Sequence, residues 1–383
     1  MTQTVLFFVY SNKYICADRI DGARRYAEKV GWNIQVIERN GGDGSLDIRG
    51  IIDFWKPIGV IAECGGGIPE LSRRTLGRVP CVYLDENPKN GNGAALHVNS
   101  DSVLVGELAA KELLALGFPH YAFVGWRQPR FWSEERRKAF ESSLRLHGFG
   151  CHVFDCPKDS SDVQRIELMR KWLKALPKPC GLFAVHDPIG EEVITLATAS
   201  GLSIPDELAV IGVDDDPMIC ERTTPTLTSI RLDFEHGGYI CAELLDRRLH
   251  DHGFVRAARK FGPVFVTRRQ STRRFAQTDR RVARAVEFIR RNACEGIGAV
   301  DVAKEMGLSR RMAEVLFRRH LRHTIHDEIA AVRMERVETL LSDSRHDIAA
   351  ITGLCGCSTS SLRKAFKDSH AGLSMREWRT AHR

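Results

Sequence analysis

No apolar stretch in the sequence approaches the roughly 20 residues that span a bilayer, so a transmembrane helix is excluded. The start, Met1-Thr2-Gln3-Thr4-Val5-Leu6-Phe7-Phe8-Val9-Tyr10, has no basic leader and no small-residue cleavage site. It reads as a buried first strand and not as a signal peptide, and a cytoplasmic location is expected. Low-complexity tracts are absent, which argues against disorder. Eleven cysteines run from Cys16 to Cys357, yet no pair has zinc-like spacing. Cys355 and Cys357 are too close together for a disulfide or a metal pair, so all eleven read as reduced thiols, mostly small core residues. No Ser/His/Asp constellation stands out. Gly65-Gly66-Gly67 precedes Ile68-Pro69 and not the Lys-Ser/Thr of a phosphate loop. These absences point away from an enzyme, a resident metal and a cofactor.

What is present is 383 residues, enough for two or three domains, of which 43% are hydrophobic and 27% charged. The net charge of +7 conceals an asymmetry. Residues 268–383 carry 24 basic and 14 acidic side chains, a balance of +10, whereas the first 267 carry 32 and 35, a balance of −3. A basic module beside a mildly acidic one points to a polyanion partner, most often nucleic acid.

The first 267 residues alternate strand and helix signals. Apolar runs at 5–10, 33–37, 59–62, 79–84, 121–124, 181–185 and 210–213 predict strands. The clearest helix follows Asn99-Ser100-Asp101, with Val105, Leu108, Ala109, Leu113 and Leu116 in register and Gly117 as its stop. Alternation of this kind predicts a parallel α/β sheet with both faces covered. The pattern restarts near Ser100, so two lobes are expected, about 1–99 and 100–230, with later segments crossing back. Their cleft lies at the carboxyl ends of the strands, where α/β sheets bind ligands. Residues 268–277 read as a polar linker, and 278–383 as an all-α domain. Its first helix is expected to start at Thr278-Asp279 and to present Val282, Val286 and Ile289.

Two segments of this all-α domain meet the demands of a helix-turn-helix: a small residue where the helices touch, a left-handed turn residue, and apolar flanks. The first runs through Val302, Ala303, Met306, Gly307 and Leu308 to Leu316 and Phe317. Ser309 is its cap, and Arg310-Arg311 open the second helix. The second unit repeats the plan at Ile351, Cys355, Gly356, Cys357, Leu362 and Phe366, with Ser358 as cap. Gly307 and Gly356 lie 49 residues apart. Ile325, Ile329, Val332, Val337 and Leu340 mark one long connecting helix, which sets two recognition helices about 34 Å apart, one DNA turn.

Residues 275–383 resemble the DNA-binding domain of the AraC family. The resemblance is carried by Asp301-Val302-Ala303, by Gly307-Leu308-Ser309-Arg310-Arg311, by Arg333-Met334-Glu335-Arg336-Val337, and by the close from Phe366-Lys367 to Met375-Arg376-Glu377-Trp378-Arg379. Val315 stands where that family usually places a polar residue, and Thr352 replaces the small Ala of the second unit. The resemblance implies that Arg310, Arg311, Glu314, Thr359, Ser360, Arg363 and Lys364 face bases or phosphates. Lys304, Arg318, Arg319 and Lys367 are candidates for positioning on phosphates.

Residues 1–267 resemble the ligand-binding domain of LacI/GalR regulators and periplasmic sugar-binding proteins. Pro205 through Asp215 and Thr224 through Ile230 carry the likeness. A hydroxyl-rich ligand needs planar bidentate groups and an aromatic face. Asp214, His186 and Asp187 stand at strand ends, and Arg136 stands where these families hold the ligand. Trp126, Phe131 and Trp132 fill the loop between, with Asn12, Lys13 and Glu63 as weaker candidates from the first lobe. Helix capping is the alternative role for His186 or Asp187, and interface packing for the rings. The order of modules is uncommon and resembles the xylose operon regulators, through Ser11-Asn12-Lys13, Val210-Ile211-Gly212-Val213-Asp214, the stretch Arg290 to Gly296, and Thr324-Ile325-His326. That resemblance implies D-xylose as effector, or a different monosaccharide. It also implies a homodimer, a double-stranded DNA operator, activation of pentose catabolism genes, and RNA polymerase as partner of an activator. A transport binding protein with an appended tail is the rival reading.

Overall fold

Apolar strands alternating with amphipathic helices fold into two sheets. The computed structural model describes all residues except 1–2, 11–12, 40–45, 65–72, 88–95, 129, 158–159, 274–279, 322, 343–346, 357, 371 and 382–383. The chain divides into one unit from Met1 to Arg274 and another from Phe275 to Arg383. The first unit begins with β1 (Gln3–Tyr10), α1 (Lys13–Val30), β2 (Trp32–Arg39), α2 (Ile48–Trp55), β3 (Gly59–Glu63), α3 (Arg73–Leu76), β4 (Cys81–Leu84) and β5 (Leu96–Ser100). It continues with α4 (Ser102–Leu114), β6 (His120–Val124), α5 (Phe131–Leu146), β7 (His152–Phe154), α6 (Asp162–Ala175), β8 (Cys180–Ala184), α7 (Asp187–Ala199), β9 (Leu208–Val213) and α8 (Pro217–Cys220). It closes with β10 (Thr228–Leu232), α9 (Phe234–His250), β11 (Ala257–Phe261) and β12 (Pro263–Thr267).

The first sheet has the order β11-β5-β4-β3-β1-β2 and the second β12-β10-β9-β8-β6-β7. All the recorded pairings are parallel except β10 with β12. Strands β3, β8 and β9 are buried at every position, as strands covered on both faces must be. In each sheet the strand order reverses once, between β1 and β3 and between β6 and β8. A crevice opens at the carboxyl ends of strands at such a point. The chain passes between sheets three times: after β5, after β10, and between β11 and β12.

Five strands are absent from the sequence reading: β5, β7, β11, the mixed β10 and the apolar β12. β5 alternates His97 and Asn99 with apolar residues, β7 has three residues, and the edge strand β11 turns Ala258, Arg259 and Lys260 to solvent. The expected linker at 268–277 needs correction. Ser271 and Thr272 are buried in the first unit, where Ser271 Oγ donates to Val210 O at 2.6 Å and Thr228 N donates to Ser271 Oγ at 2.8 Å. Arg268 forms a bidentate pair with Glu112 at 2.7 Å. Polar composition alone does not separate a solvated tether from a segment whose polar groups all find partners. The expected helix start at Thr278-Asp279 lies outside the described residues.

The second unit is all helical: α10 (Arg280–Asn292), a 3-10 turn at Ala293–Glu295, α11 (Ala299–Glu305), α12 (Arg310–Leu321), α13 (Ile325–Ser342), α14 (Ile348–Leu354), α15 (Thr359–Ser369) and α16 (Met375–Ala381). It has two small cores. Val282, Val286, Ile289, Val302, Met306, Phe317, Ile325 and Ile329 fill the first, and Val337, Leu340, Ile351, Cys355, Leu362, Phe366 and Met375 the second. The two ends of α13 therefore belong to different cores.

Close helix crossings fix the inner helices of the first unit. A Cβ on Gly22 of α1 would lie 1.8 Å from Glu235 O, and one on Gly238 of α9 would lie 1.9 Å from Arg19 O. Neither helix can move apart without losing its packing. Gly238→Ala is therefore expected to lower the unfolding free energy by about 1–3 kcal/mol or more in urea denaturation. Gly150→Ala, where nothing lies within 4 Å, is the control and should stay within about 0.5 kcal/mol of the parent.

Candidate ligand cleft and nucleic-acid interface

The cleft of the first unit is lined at the strand ends that the sheet order selects. From the first lobe come Glu63, ending β3, and Asp85, just after β4. The Arg19 guanidinium of α1 bonds both carboxylates, and Cys16 Sγ donates to Glu63 Oε2 at 3.3 Å. Burial works against the Arg19 charge, but Asp85 and Glu63 outweigh it and hold its pKa above the ordinary value. Asn12 lies outside the described residues.

The second lobe supplies Arg136 from α5, 4% exposed, whose Nη1 donates to Val185 O at 2.6 Å. Its guanidinium lies 5.1 Å from the Trp132 ring centroid. Trp126, Trp132 and His186 form one ring cluster, with Trp126 and His186 4.6 Å apart and Trp132 6.1 Å from His186. Phe131 opens α5, half-buried, and among the described residues makes none of these ring contacts. The His186 Nδ1 accepts from Ile189 N at 3.3 Å and so caps α7, the alternative role foreseen for it. Burial, with Arg136 close by, pulls the imidazole down to about 4, which leaves it neutral at physiological pH.

Asp187 proves to be a hub. It is fully buried, and its carboxylate accepts from Ser229 Oγ at 2.5 Å, Asp216 N at 2.8 Å and Cys220 Sγ at 3.2 Å. Ser229 Oγ in turn accepts from Asp215 N at 3.0 Å. This clamp fixes the backbone immediately after β9, where Asp214 (φ 106°) and Asp215 (φ 56°) adopt left-handed conformations. Such conformations cost about 1–3 kcal/mol each and persist only where the surroundings impose them. Asp215 is tied to Arg269 at 2.7 Å and to Thr267 Oγ1 at 2.8 Å. Asp214 differs: among the described residues no hydrogen bond reaches its carboxylate. Burial pushes its pKa up to about 6 against the pull of Arg136 and Arg19. Two buried guanidiniums, an unpaired carboxylate and indole faces form a donor, acceptor and stacking set suited to a polyhydroxylated ring.

Arg19 and Asp85 escaped the sequence reading. Asp85 carried the same signal as Asp214, an aspartate directly after an apolar strand, and it shares the left-handed backbone, with φ 56°. Arg19 carried none, because its depth depends on where α9 crosses α1.

In the second unit the turn glycines have φ 64° at Gly307 and 61° at Gly356. Ser309 Oγ accepts from Met312 N at 3.3 Å, and Ser358 Oγ from Ser361 N at 3.2 Å, so both serines cap the helices that follow. Thr352, buried where a small residue was expected, satisfies its hydroxyl on Ala349 O at 2.7 Å. Arg310, Arg311 and Arg318 are exposed on α12, and Thr359, Ser360, Arg363 and Lys364 on α15. Glu314 is half-buried, and its carboxylate accepts from Ile325 N at 3.4 Å at the start of α13, away from the exposed face. The second core is closed by Trp378, 6.1 Å from Phe366, and by Arg379 donating to Leu341 O at 3.1 Å.

Among the described residues no helix is long and apolar enough to cross a membrane, and no cluster of His, Cys, Asp or Glu is arranged to hold a metal ion. Residues 110–272 match the periplasmic binding protein-like domain family, and residues 302–383 a helix-turn-helix domain family. The xylose operon regulatory protein of Haemophilus influenzae is 27% identical over 359 residues, 90% of this chain and 90% of that protein. Its counterpart in Escherichia coli K12 is 27% identical over 374 residues, 92% and 90% of the two chains. A solved structure described as a xylose-binding transcription activator shares the fold over 100% of this chain and 98% of its own, with 24% identity and a TM-score of 0.62. A LacI family regulator from Enterococcus faecium with bound ribose shares it over 70% and 98%, with 21% identity and a TM-score of 0.57.

Asp187→Ala leaves the Asp216 N–H and the Ser229 hydroxyl without their acceptor. It is expected to cost about 1–3 kcal/mol of stability in urea unfolding. Unchanged stability with a lost ligand response would instead make Asp187 a direct contact.

Proposed function

We propose that this chain, which joins a periplasmic-binding-protein-like domain to an AraC-type helix-turn-helix domain and is homologous to the xylose operon regulatory proteins, is a sugar-responsive, sequence-specific DNA-binding transcription regulator. The observation that carries this reading is the union in one chain of a charged, ring-lined cleft and a doubled helix-turn-helix bearing a balance of +10. The names of the relatives favour D-xylose as effector and the pentose catabolism genes as target. Activation through RNA polymerase by a homodimer completes the reading.

In the cleft, Asp214 accepts hydrogen bonds from sugar hydroxyls, Arg136 and Arg19 donate to ring and hydroxyl oxygens, and Trp126 or Trp132 covers the C–H face. Asp187 and His186 act as positioning residues. Glu63 and Asp85 hold Arg19. On DNA, Arg310, Arg311, Arg318, Arg363 and Lys364 meet phosphates or guanine edges, and Thr359 and Ser360 either bases or phosphates. Sugar closes the lobes, and closure favours engagement of paired half-sites. By linkage, sugar and operator each tighten the other's binding.

A thermal-shift panel of monosaccharides tests the sensor. At one hundred times its Kd, a ligand binding only the folded state adds about 2.7 kcal/mol of stability, and D-xylose is expected to give the largest shift. Asp214→Ala should abolish the shift yet leave sugar-free DNA binding intact in a gel-shift assay. Binding to the operator should fall with salt, and no sequence-specific shift with any sugar would favour the transport-protein reading.

Asp214 also sets a pH dependence. Its folded pKa of about 6 stands above the ordinary 3.8, and hydroxyls bond the ionised form. Sugar affinity is thus expected to be full above pH about 6 and to fall toward tenfold per unit below it. The stability of the sugar-free protein runs the other way. A raised carboxyl pKa contributes stability at the acid end that is lost as pH rises through about 6. Calorimetric titration from about pH 4.5 to about pH 8, repeated with Asp214→Asn, checks both trends, which the variant should flatten.

A further inference from the structure

The outer face of α12 is basic at its edges and apolar at its centre. Ala313 and Phe317 are fully buried and turn the opposite side of the helix into the first core. At about 100° per residue, the outward direction falls on Arg311, Val315 and Arg319, with Met312 and Arg318 beside them. Val315 is 52% exposed and Met312 50% exposed, so two apolar side chains one helical turn apart stand in solvent between arginines.

The second unit supplies an internal reference, because α15 is built to the same plan 49 residues later. Leu362 and Phe366 take the buried places of Ala313 and Phe317. The counterpart of Val315 is Lys364, and that of Met312 is Ser361, both exposed and polar. The apolar centre is thus a property of α12, not of the fold.

Resting on the regulator reading above, we infer that α12 recognises thymine through its C5-methyl group, with Val315 as the contact and Met312 flanking it. The exposed Arg310, Arg311, Arg318 and Arg319 match a polyanion, and the thymine methyl is the apolar feature that a base pair offers in the major groove of such a polyanion. A branched aliphatic side chain gains nothing from phosphates or from hydrogen-bonding base edges, but it gains by excluding water from a methyl. By the same comparison, α15 reads or positions through hydrogen bonds and charge.

The test uses the full chain with its sugar effector and a site enriched from a random duplex library. Each thymine is replaced in turn by uracil, which pairs identically but lacks the methyl. At one or two positions the affinity is expected to fall roughly threefold to tenfold, the scale of one lost methyl contact. With Val315→Ala, thymine and uracil at those positions should bind equally, whereas Lys364→Ala should retain the preference. Thymine and uracil binding equally at every position in the parent protein would overturn the inference while leaving the regulator reading intact. A methyl preference that survives in Val315→Ala would overturn it as well. Failure to enrich any sequence would remove the regulator reading and this inference together. If Val315→Ala instead keeps DNA binding and the methyl preference but loses transcriptional activation, the apolar pair serves a protein partner and the inference fails.

Discussion

Two buried arginines, one held between carboxylates and the other donating to a backbone carbonyl, set the character of the cleft. Arg19 and Arg136 come from opposite lobes, and each sits where a glycine on a neighbouring helix touches its own carbonyl. Gly238 lies against Arg19 O, and Gly106 against Arg136 O, where an added Cβ would come within 1.9 and 2.4 Å. Buried charge is costly unless compensated. The depth of the two guanidiniums therefore decides how Glu63, Asp85 and Asp214 can remain in a water-poor cleft. The donor capacity left over, including an unpartnered Nε on each arginine, is what a polyhydroxylated ligand can use.

Much of this was legible in the residues. Apolar runs announced the central strands, because a strand covered on both faces has no polar side to break its pattern. The two turn glycines, with a cap after each, announced the paired helix units. The edges were harder. Polar strands such as β5 and β11 look like loops until their neighbours are known, and residues 268–273 look like a tether until Thr228 and Val210 are seen to receive them. Site residues divided along the same line. Asp214 could be found from its place after a strand, and Asp85 by the same rule. Arg19 depends on a helix crossing 219 residues away in sequence, the separation of Arg19 from Gly238, which no local pattern encodes. The bond from Glu314 to Ile325 likewise appears only when α13 is packed.

The clamp around Asp187 shows how a residue of the right type at the right place serves the site at one remove. Its oxygens hold the backbone that forces Asp214 into a left-handed conformation, and the same turn presents Asp215 to Arg269. A carboxylate beside the cleft and a segment near the end of the first unit are thus neighbours in one hydrogen-bonded network.

The helix α13 feeds two separate cores, one at each end, and spans about 27 Å at 1.5 Å per residue. Its ends carry unlike heads, one with Val315 where the other has Lys364. On the proposed reading, a pair of heads that differ gives the chain a front and a back. Turned end for end on a duplex, it would set the wrong chemistry against each half of its target. If it reads DNA as proposed, one chain of this kind would bind with polarity, and the orientation of each target relative to a promoter would carry information that a palindrome would erase.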